Sequence, residues 1–529
     1  MFVFRQKTVS LHFISKKFMF TQQDTEQLFQ QGIELKDAKR QQETVKNHAF
    51  VSVVRPAVAN DGVLMMDEAE IRQIIGFYEQ NAPEEKIVKF VPASGAASRM
   101  FKDLHSFRNG DASELTTKSV SFFFEHLSEF AFFQALKKKI TDNGLNLSEL
   151  LKKKDYFTVI DYLLTEKGLN YAKTPKGLIF FHQYGAVSRT AFEEHWVEAA
   201  EYGCDADKNA HLHFTVSPEH KEDFEQLKND LLPQYEQQYG MQFHIEFSIQ
   251  YSATDTLAFA EDNTPFRTET GELVLRPGGH GSLIKNLNEI DADILFIKNI
   301  DNVCLDKYKK DTIIYKKLLV GLLLDFKKQI FRFLHEMEHK LLSEEQLQEI
   351  EQFLQSKFFI SLSDAYKHLP LAEKQAVLFE KLNRPIRICG MVKREDEPGG
   401  GPFWVQNAAD EISLQIVETS EMDLSDPTQK VCLDKSEFFN PVDLVCSLKN
   451  YRGKPFNLPD YVDFSRYFIS EKSQNGKRLK AIENPGLWNG AMSDWLTVFV
   501  AVPLATFSPV KTVNDLIRKE HNEFAHKSQ

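Results

Sequence analysis

A run of small residues, Ser-Gly-Ala-Ala-Ser, stands between a strand-forming segment and a helix-forming segment. It covers residues 94–98 and is closely followed by two cations, Arg99 and Lys102. Backbone N–H groups at such a turn, together with the positive end of a helix dipole, can bind a phosphate. A turn that joins strand to helix for packing reasons alone is the alternative. The predicted phosphate contacts come from Ser94, Gly95, Ala96, Ser98, Arg99 and Lys102.

A carboxylate follows the most apolar of the predicted strands. This strand covers residues 294–300, and Asp301 and Asn302 come directly after it. Ligands of α/β proteins bind beside the carboxyl ends of the strands, so Asp301 is expected at such an edge. One carboxylate combined with phosphate oxygens and water suits Mg²⁺. At this point an Asp301 that only caps the next helix remains an open alternative.

His335 and His339 form the H-E-x-x-H pattern of helix-borne zinc sites. If Ile330 marks the centre of the apolar stripe, Met337 and Leu341 fall close to it, at about 100° per residue, and the histidines lie near the opposite side. A catalytic zinc also needs a third ligand and a walled cleft. The pattern therefore favours a solvated, charged helix face over a zinc peptidase site.

The charge balance excludes a general nucleic-acid binder. Lys and Arg total 64 against 76 Asp and Glu, a net charge of −12. A polyanion requires a basic stripe, whereas a small phosphorylated ligand needs only a few local cations. The 5 cysteines form no CxxC pair, which favours a reducing, cytoplasmic setting. No apolar run approaches the roughly 18 residues of a membrane span, so no membrane partner is expected.

Short strand-forming runs alternate with helix-forming stretches along most of the chain. Alternation of this kind predicts an α/β fold layered on a mostly parallel sheet. The predicted strands cover residues 86–91, 178–181, 211–216, 243–249, 294–300, 387–392, 413–417 and 497–502.

Two long segments lack this alternation and are predicted to be helical insertions, at about 103–173 and 305–383. They would interrupt a main domain over residues 86–529, preceded by an N-terminal helical region over 19–85. Met19 opens like an ordinary N-terminal helix and is expected to be the true start, with residues 1–18 mis-assigned or disordered. A glycine-rich loop is expected at 397–402, and a closing helix near Val513.

Six short motifs occur in the order found in UDP-sugar pyrophosphorylases and related sugar-phosphate nucleotidyltransferases. SGAASRM at 94–100 resembles that family's G-G-x-G-T-R-M loop, TPKG at 174–177 its P-K-G segment, and RPGGHGSL at 276–283 its P-x-G-H-G loop. FIKNIDNV at 296–303 resembles its strand that ends in a metal-binding Asp-Asn, LQIVE at 414–418 its V-V-E-Y segment, and FSPVKTVNDL at 507–516 its F-x-P-V-K-x-x-x-D-L segment. The chain from Met19 also resembles a bacterial family described only as a domain of unknown function.

The resemblance implies a glycosyltransferase-A-like, Rossmann-like mixed-sheet sandwich. It also implies transfer of a nucleoside monophosphate from a nucleoside triphosphate, with UTP favoured, to a sugar 1-phosphate, with Mg²⁺ and release of pyrophosphate. The implied catalytic residues are Arg99, Lys176 and Lys511, and the implied metal ligand is Asp301. Nucleotide contacts are implied for Ser94, Gly95, Ala96, Ser98, Lys102, Gly278, Gly279, His280 and Gly281, and substrate contacts for Asn302 and Glu418.

One position departs from the family pattern, because Ala97 replaces the last glycine of the phosphate loop. Glycine allows close approach of the backbone to phosphate, sometimes at a positive φ that alanine resists. The departure leaves a second interpretation open, in which the protein binds a nucleotide or nucleotide sugar on the same fold without catalysing transfer.

Overall fold

A computed structural model describes residues 20–47, 50–111, 113–395, 399–407, 410–474 and 476–523. The expected N-terminal segment 1–18 and residues 397 and 398 of the predicted glycine-rich loop lie outside these ranges. The chain forms two compact units, each assembled from separate stretches of sequence. The smaller comprises Met1–Ala49, Ser252–Gly279 and Tyr467–Asn484, and the larger Phe50–Tyr251, His280–Arg466 and Pro485–Gln529.

The strands are β1 Ser52–Pro56, β2 Val58–Ala59, β3 Gly62–Leu64, β4 Ile87–Pro92, β5 Phe180–Tyr184, β6 Val187–Thr190, β7 Asn209–Val216, β8 Gln242–Ile249, β9 Thr256–Phe259, β10 Leu275–Arg276, β11 Ile294–Lys298, β12 Ile386–Lys393, β13 Gly401–Gln406, β14 Ile412–Val417, β15 Phe438–Phe439, β16 Asp443–Ser447, β17 Phe468–Gln474, β18 Lys477–Glu483 and β19 Leu496–Val502. The helices are α1 Gln22–Gln30, α2 Leu35–Lys46, α3 Glu68–Asn81, α4 Lys102–Asn109, α5 Glu114–Glu125, α6 Phe133–Asp142, α7 Leu147–Lys152, α8 Tyr156–Leu164, α9 Ala191–Tyr202, α10 Lys221–Tyr239, α11 Ile284–Leu287, α12 Lys309–His339, α13 Glu344–Phe358, α14 Asp364–Lys367, α15 Leu371–Leu382 and α16 Pro427–Asp434.

The smaller unit is an antiparallel sheet in the order β10-β9-β18-β17, with α1 and α2 attached to it. Gln41 of α2 accepts a hydrogen bond from the Leu257 N–H of β9 at 2.9 Å. Asp24 of α1 binds the Arg267 guanidinium through both carboxylate oxygens, at 2.6 and 2.8 Å. These side-chain contacts hold the two helices to β9 and to the segment between β9 and β10, which lie far away in the sequence.

The larger unit is built on a mixed sheet in the order β2-β3-β19-β12-β16-β11-β4-β7-β8, with β15 paired to the end of β12. Along this order only β16 runs antiparallel to its neighbours, β11 and β12. The other neighbouring pairs are parallel. The carboxyl ends of the parallel strands therefore meet at one edge, which is where α/β proteins bind ligands.

Both faces of this sheet are covered. Ile294 and Phe296 of β11 pack into a core formed with α12, whereas the alternating Leu295 and Ile297 pack into a second core on the opposite face. A strand buried on both faces reads as a continuous apolar run, which explains why β11 was recognisable in the sequence. None of the helices that the structure describes combines the length and apolar character needed to cross a membrane.

The predicted α/β fold around a mostly parallel sheet is confirmed. Helices α4 to α8 occupy the segment expected as the first helical insertion, and α12 to α15 occupy the second. In α12 the stripe of Ile330, Leu334 and Met337 is buried as the spacing predicts.

Several expected elements differ from the observed ones. The strand expected at 178–181 belongs to the separate hairpin β5-β6 and not to the main sheet. The region 19–85, expected to be helical, also contains β1 to β3, and the end of the expected loop at 397–402 is the start of β13. The expected closing helix is the 3₁₀ helix Val513–Ile517. Strand β1 pairs with β13, and β3 pairs with β19, over sequence distances that local patterns do not reveal.

Candidate functional site

Three loops that follow strands of the main sheet, and the segment of Lys176 that precedes β5, are tied together at the carboxyl edge of this sheet. The Lys176 N–H donates to the Gly95 carbonyl of the loop after β4 at 3.2 Å, within a short bridge between the two segments. The Val510 N–H, in the segment after β19, donates to the Asp301 carbonyl after β11 at 3.1 Å. The Val513 N–H donates to the Met100 carbonyl at 3.0 Å and so returns to the first loop. Four of the sequence motifs therefore meet at one edge.

The Lys176 side chain joins these loops directly. Its Nζ donates to Asp301 Oδ2 at 2.8 Å and to the Val510 carbonyl at 2.9 Å. The Lys176 and Asp301 side chains are only 16% and 11% exposed, so the ion pair is partly shielded from water. Gly177 lets this loop close against Phe224, because a Cβ at position 177 would lie 3.0 Å from the phenyl ring.

The loop after β4 presents free hydrogen-bond donors to solvent. Ser94, Gly95 and Ala96 are exposed, and their N–H groups have no partner among the described residues. A Cβ placed on Gly95 would meet no atom within 4 Å, so the space beside it is open. Arg99 and Lys102 are also exposed, and neither forms an ion pair within the described part of the chain. The arrangement has the donors and charge needed to bind a phosphate.

Ala97 occupies its position without backbone strain. It begins the 3₁₀ helix Ala97–Arg99, it is absent from the non-glycine residues with positive φ, and its side chain is buried in the core. The concern raised by the missing glycine, that alanine resists a positive φ, therefore does not apply to this loop.

Lys511 lies on a tight turn at the end of the same network. The N–H groups of Lys511 and Thr512 both donate to Asp515 Oδ2, at 2.8 and 2.7 Å. This carboxylate fixes the backbone of the turn, while the Lys511 side chain remains exposed and makes no ion pair within the ranges described. Lys511 is thus a free cation on a backbone that is tied to Asp301 through Val510.

Asn302, for which a substrate contact is predicted, is buried. It is 2% exposed, and its Oδ1 accepts a hydrogen bond from the Ser508 N–H at 2.9 Å. Its Nδ2 has no partner among the described residues. The side chain therefore acts as a clamp between the end of β11 and the segment after β19, and its expected substrate contact stays a prediction.

The Arg-Pro-Gly-Gly-His-Gly loop divides between the two units. Gly278 and Gly279 belong to the smaller unit, whereas His280 and Gly281 belong to the larger. Gly279 has a φ of +73°, and a Cβ there would lie 2.6 Å from Glu483 Oε2, so this position requires glycine. Gly279 therefore has a structural requirement of its own, separate from any nucleotide contact.

His280 and Glu418, two further residues predicted for the site, both contact Trp488. The His280 ring stacks on Trp488 at 4.2 Å, and its Nδ1 accepts a hydrogen bond from the Leu487 N–H at 3.0 Å. Burial lowers the pKa of His280 to about 4. Trp488 is also hydrogen-bonded to the Glu418 side chain, whose pKa is raised by burial and then by Glu421. Trp488 was missed by the sequence reasoning, because no pattern in the chain pairs it with His280.

The H-E-x-x-H pattern lies at the end of α12. His335 and His339 are exposed, Met337 is buried, and the two ring centroids are 6.5 Å apart. The described residues contain no group of three or more side chains that could hold a metal ion. Leu341, expected on the apolar stripe, lies beyond the helix end at His339 and is 60% exposed.

Asp301 has the chemistry of a single metal ligand. Its Oδ2 holds Lys176, while its Oδ1 has no partner in the described part of the structure. One free carboxylate oxygen at this edge fits an Mg²⁺ ion that arrives with nucleotide phosphates, because Mg²⁺ keeps several waters and phosphate oxygens as ligands.

A cavity of about 810 Å³ lies at the other end of the main sheet. It is lined by Leu496 and Thr497 at the start of β19 and by charged residues that include Arg384 and Asp494. Leu414 and Gln415 of β14 line it, but none of the site residues predicted from the sequence does. The cationic residues predicted for the site, Arg99, Lys176 and Lys511, therefore lie outside this cavity.

The chain is similar in structure to several nucleotide-sugar enzymes. UDP-N-acetylglucosamine pyrophosphorylase from Trypanosoma brucei matches with 12% identity and a TM-score of 0.46, over 93% of this chain and 76% of that one. UDP-glucose pyrophosphorylase from Leishmania major matches with 12% identity and a TM-score of 0.42, over 93% and 77% of the two chains. A UDP-glucose phosphorylase from Trypanosoma brucei matches with 13% identity and a TM-score of 0.43 over the same shares.

Sequence comparison gives a family and no characterised relative. No curated protein matches the chain. One family model matches residues 21–522, nearly the whole of the chain from Met19 onward. This match confirms the expected resemblance, and the chain belongs to the family described as a domain of unknown function, DUF4301.

Proposed function

We propose that the protein is a nucleotidyltransferase that joins a nucleoside monophosphate, taken from a nucleoside triphosphate, to a sugar 1-phosphate and releases pyrophosphate. The observation that carries the proposal is the Lys176 ammonium, which bridges Asp301 and Val510 beside an open loop of unpaired N–H groups. The choice of UTP rests on the resemblance of the motifs to UDP-sugar pyrophosphorylases.

The reaction requires positioning and charge neutralisation rather than a covalent nucleophile. An oxygen of the sugar phosphate attacks the α-phosphorus of the nucleotide, and pyrophosphate leaves. The N–H groups of Ser94, Gly95 and Ala96 would bind the triphosphate, with Arg99 and Lys102 neutralising its β and γ phosphates. Their exposure and lack of ion-pair partners support this role, since a paired cation would have to break its pair first.

Lys176 and Lys511 would act on the reacting phosphates. Lys176 is held at a fixed position by Asp301 and Val510, and a preorganised cation stabilises developing charge without a cost of reorganisation. Lys511 lies on the adjacent turn that Asp515 fixes. Asp301 would hold Mg²⁺ through its free oxygen, and the ion would neutralise phosphate charge when bound.

Two measurements test the proposal. Titration calorimetry with UTP and Mg²⁺ should detect binding, and a pyrophosphate-release assay over a panel of sugar 1-phosphates should identify an acceptor. Gly95→Val is the matched variant for the binding measurement. Its side chain fills the open space beside the free N–H groups, so it should bind UTP more weakly. Absence of nucleotide binding by the unmodified protein would contradict the proposal.

The same experiments separate catalysis from binding alone. UTP binding without pyrophosphate release from UTP in the presence of any sugar phosphate of the panel would favour the second interpretation. In that interpretation the protein binds a nucleotide or a nucleotide sugar and does not catalyse transfer. The strain-free backbone at Ala97 removes the conformational argument that first suggested that interpretation.

A further inference from the structure

A buried histidine contacts the backbone just before Asp301. His195 of α9 is 0% exposed, and its Nε2 lies 3.2 Å from the carbonyl oxygen of Ile300. Strand β11 ends at Lys298, so the Ile300 carbonyl lies beyond the paired residues of this strand. Ile300 is itself buried, and a backbone carbonyl in buried surroundings needs a hydrogen-bond partner. His195 supplies the partner that the sheet no longer provides at this point.

The same face of α9 binds the chain on both sides of this carbonyl. Glu198 accepts a hydrogen bond from the Nζ of Lys298, at the end of β11, at 2.7 Å. Glu194 pairs with Lys309 at the start of α12. Residues three and four apart lie on one face of a helix, so Glu194 and the histidine share a face with Glu198. One buried polar face of α9 therefore contacts the chain before and after the candidate metal ligand.

The contact with the carbonyl fixes the tautomer of the imidazole. A carbonyl oxygen can only accept a hydrogen bond, so the proton must be on Nε2 of His195. The other ring nitrogen, Nδ1, has no partner among the described residues. Burial, and then the nearby Lys89, lower the pKa of His195 well below its ordinary value, and Glu198 and Lys298 are the other charged groups near the ring. The ring is therefore a neutral donor with one acceptor.

This hydrogen bond bears directly on the backbone of Asp301. The Ile300 carbonyl belongs to the peptide group that joins the two residues, and because peptide groups are planar, a fixed carbonyl fixes the plane of that group. The next peptide group is held as well, since the Asp301 carbonyl accepts from the Val510 N–H at 3.1 Å. The backbone of Asp301 is thus held on both sides, so its free Oδ1 is presented from a fixed backbone.

We propose that His195 is a positioning residue for Asp301: as the Nε2–H tautomer it donates to the Ile300 carbonyl and fixes the backbone that presents the free Oδ1 of Asp301. The histidine acts through the backbone, because its hydrogen bond is to Ile300 and not to the carboxylate. Without this donor the segment around Asp301 loosens, and the hydrogen bond from the Val510 N–H weakens with it. The consequence for metal binding rests on the proposed function, but the tautomer and the loosening do not.

The tautomer can be measured on the unmodified full chain with ¹⁵N-labelled histidine. Long-range ¹H–¹⁵N spectra at neutral pH should show a proton on Nε2 of His195, because the carbonyl that it contacts cannot donate. The signals of this residue are assigned by their loss in a His195 variant. A bare Nε2 would overturn the proposal, and this result does not depend on any nucleotide or metal ion.

Two amide variants separate the position of the donor from its polarity. Glutamine places an N–H donor at about the reach of the imidazole Nε2, whereas asparagine is one methylene shorter. His195→Asn should therefore raise amide exchange at Val510 about tenfold, and His195→Gln should retain most of the protection. Ala93, whose N–H donates to the Thr215 carbonyl at 2.8 Å, is the internal reference at the same edge of the sheet. Equal exchange at Val510 in the two variants, or an equal rise at Ala93 and Val510, would overturn the proposal.

Tyr235→Phe is the matched control for the loss of a buried hydrogen bond on the same helix. The Tyr235 hydroxyl donates to Glu193 of α9 at 3.0 Å, so this variant removes one buried contact of α9 and leaves the donor to Ile300 in place. Exchange at Val510 should stay as in the unmodified protein, and a rise equal to that in His195→Asn would overturn the proposal. A failure of the unmodified protein to bind UTP would contradict only the proposed function, since exchange is measured without nucleotide.

Discussion

Lys176 and Asp301 are separated by more than a hundred residues of sequence, yet Lys176 Nζ lies 2.8 Å from Asp301 Oδ2. The pair joins the loop that precedes β5 to the end of β11. Because the same ammonium also binds the Val510 carbonyl, a single cation links three of the motifs. Removing the negative charge of Asp301 therefore tests two things: whether Asp301 binds a metal ion, and whether the Lys176 contacts hold the three segments together.

Asp301→Asn keeps the size of the side chain and removes its charge. The Val510 carbonyl still accepts from Lys176, so we expect the variant to fold, with a stability loss of about 1–2 kcal/mol in urea unfolding. Pyrophosphate release should fall by about 100-fold or more, because a ligand of Mg²⁺ and the orientation of Lys176 are both altered. Asp291→Asn, an exposed partner of Lys449, is the control. Full activity at low Mg²⁺ would remove Asp301 from the metal site.

The sequence was sufficient to predict that two of the motifs lie at the same edge of the sheet. Parallel strands deliver their carboxyl ends to one edge, so Asp301 and the loop of Gly95 had to lie at that edge once their strands were recognised. Lys176 was predicted only through the family resemblance, since no strand precedes it.

Other contacts could not be predicted, because they depend on the order of the strands and on long-range assembly. The neighbour relation of Trp488 and His280 follows from packing and has no local signal. The antiparallel strand β16 is short and ends in Cys446 and Ser447, so no pattern distinguished it. The two stretches that complete the smaller unit, Ser252–Gly279 and Tyr467–Asn484, are far apart in the chain, and only the folded structure shows that they belong together.

Gly95→Val should affect binding and not folding. The position has no positive φ, and an added Cβ would meet open space, so thermal unfolding should stay within about 0.5 kcal/mol of the original protein. The larger side chain would occupy the space beside the free N–H groups, and UTP affinity measured by calorimetry should fall by at least about tenfold. Gly95→Ala should show a smaller loss. Equal UTP affinity in all three proteins would show that phosphate does not bind at this loop.

The lowered pKa of His280 predicts that the stability of the folded protein depends on pH. This pKa is lowered from the ordinary 6.5 to about 4, so below pH 6.5 the unfolded chain binds a proton that the folded protein does not. The His280 contribution to stability is therefore full above pH 6.5 and declines as the pH falls from about 6.5 to about 4. His280→Gln should flatten this part of the curve of melting temperature against pH. A curve that keeps its slope in the variant would assign the effect to other groups.

The histidines of the H-E-x-x-H pattern should be dispensable. His335→Ala changes an exposed side chain on α12, so activity, zinc content by mass spectrometry and melting temperature should all stay as in the unmodified protein. The same should hold for His339→Ala. Bound zinc in the unmodified protein that disappears in either variant would reverse this interpretation.

Lys511→Ala distinguishes a catalytic cation from a structural one. The side chain is exposed and has no ion-pair partner among the described residues, while the turn beneath it is held by backbone N–H groups that donate to Asp515. Truncation leaves those hydrogen bonds intact, so the melting temperature should change little. Turnover should fall on the order of 100-fold to 1,000-fold, because a positioned ammonium acts on charge that develops in the transition state.

Lys153→Ala, an exposed lysine at the end of α7, is the matched control and should change neither quantity. Both variants are compared by thermal unfolding and by pyrophosphate release with the acceptor that the panel identifies. A structural lysine predicts the opposite pattern, with a lowered melting temperature and preserved turnover. That outcome for Lys511→Ala would remove Lys511 from the site, and because Val510 and Lys511 share one turn, it would also weaken the case that the Lys176 bridge is catalytic.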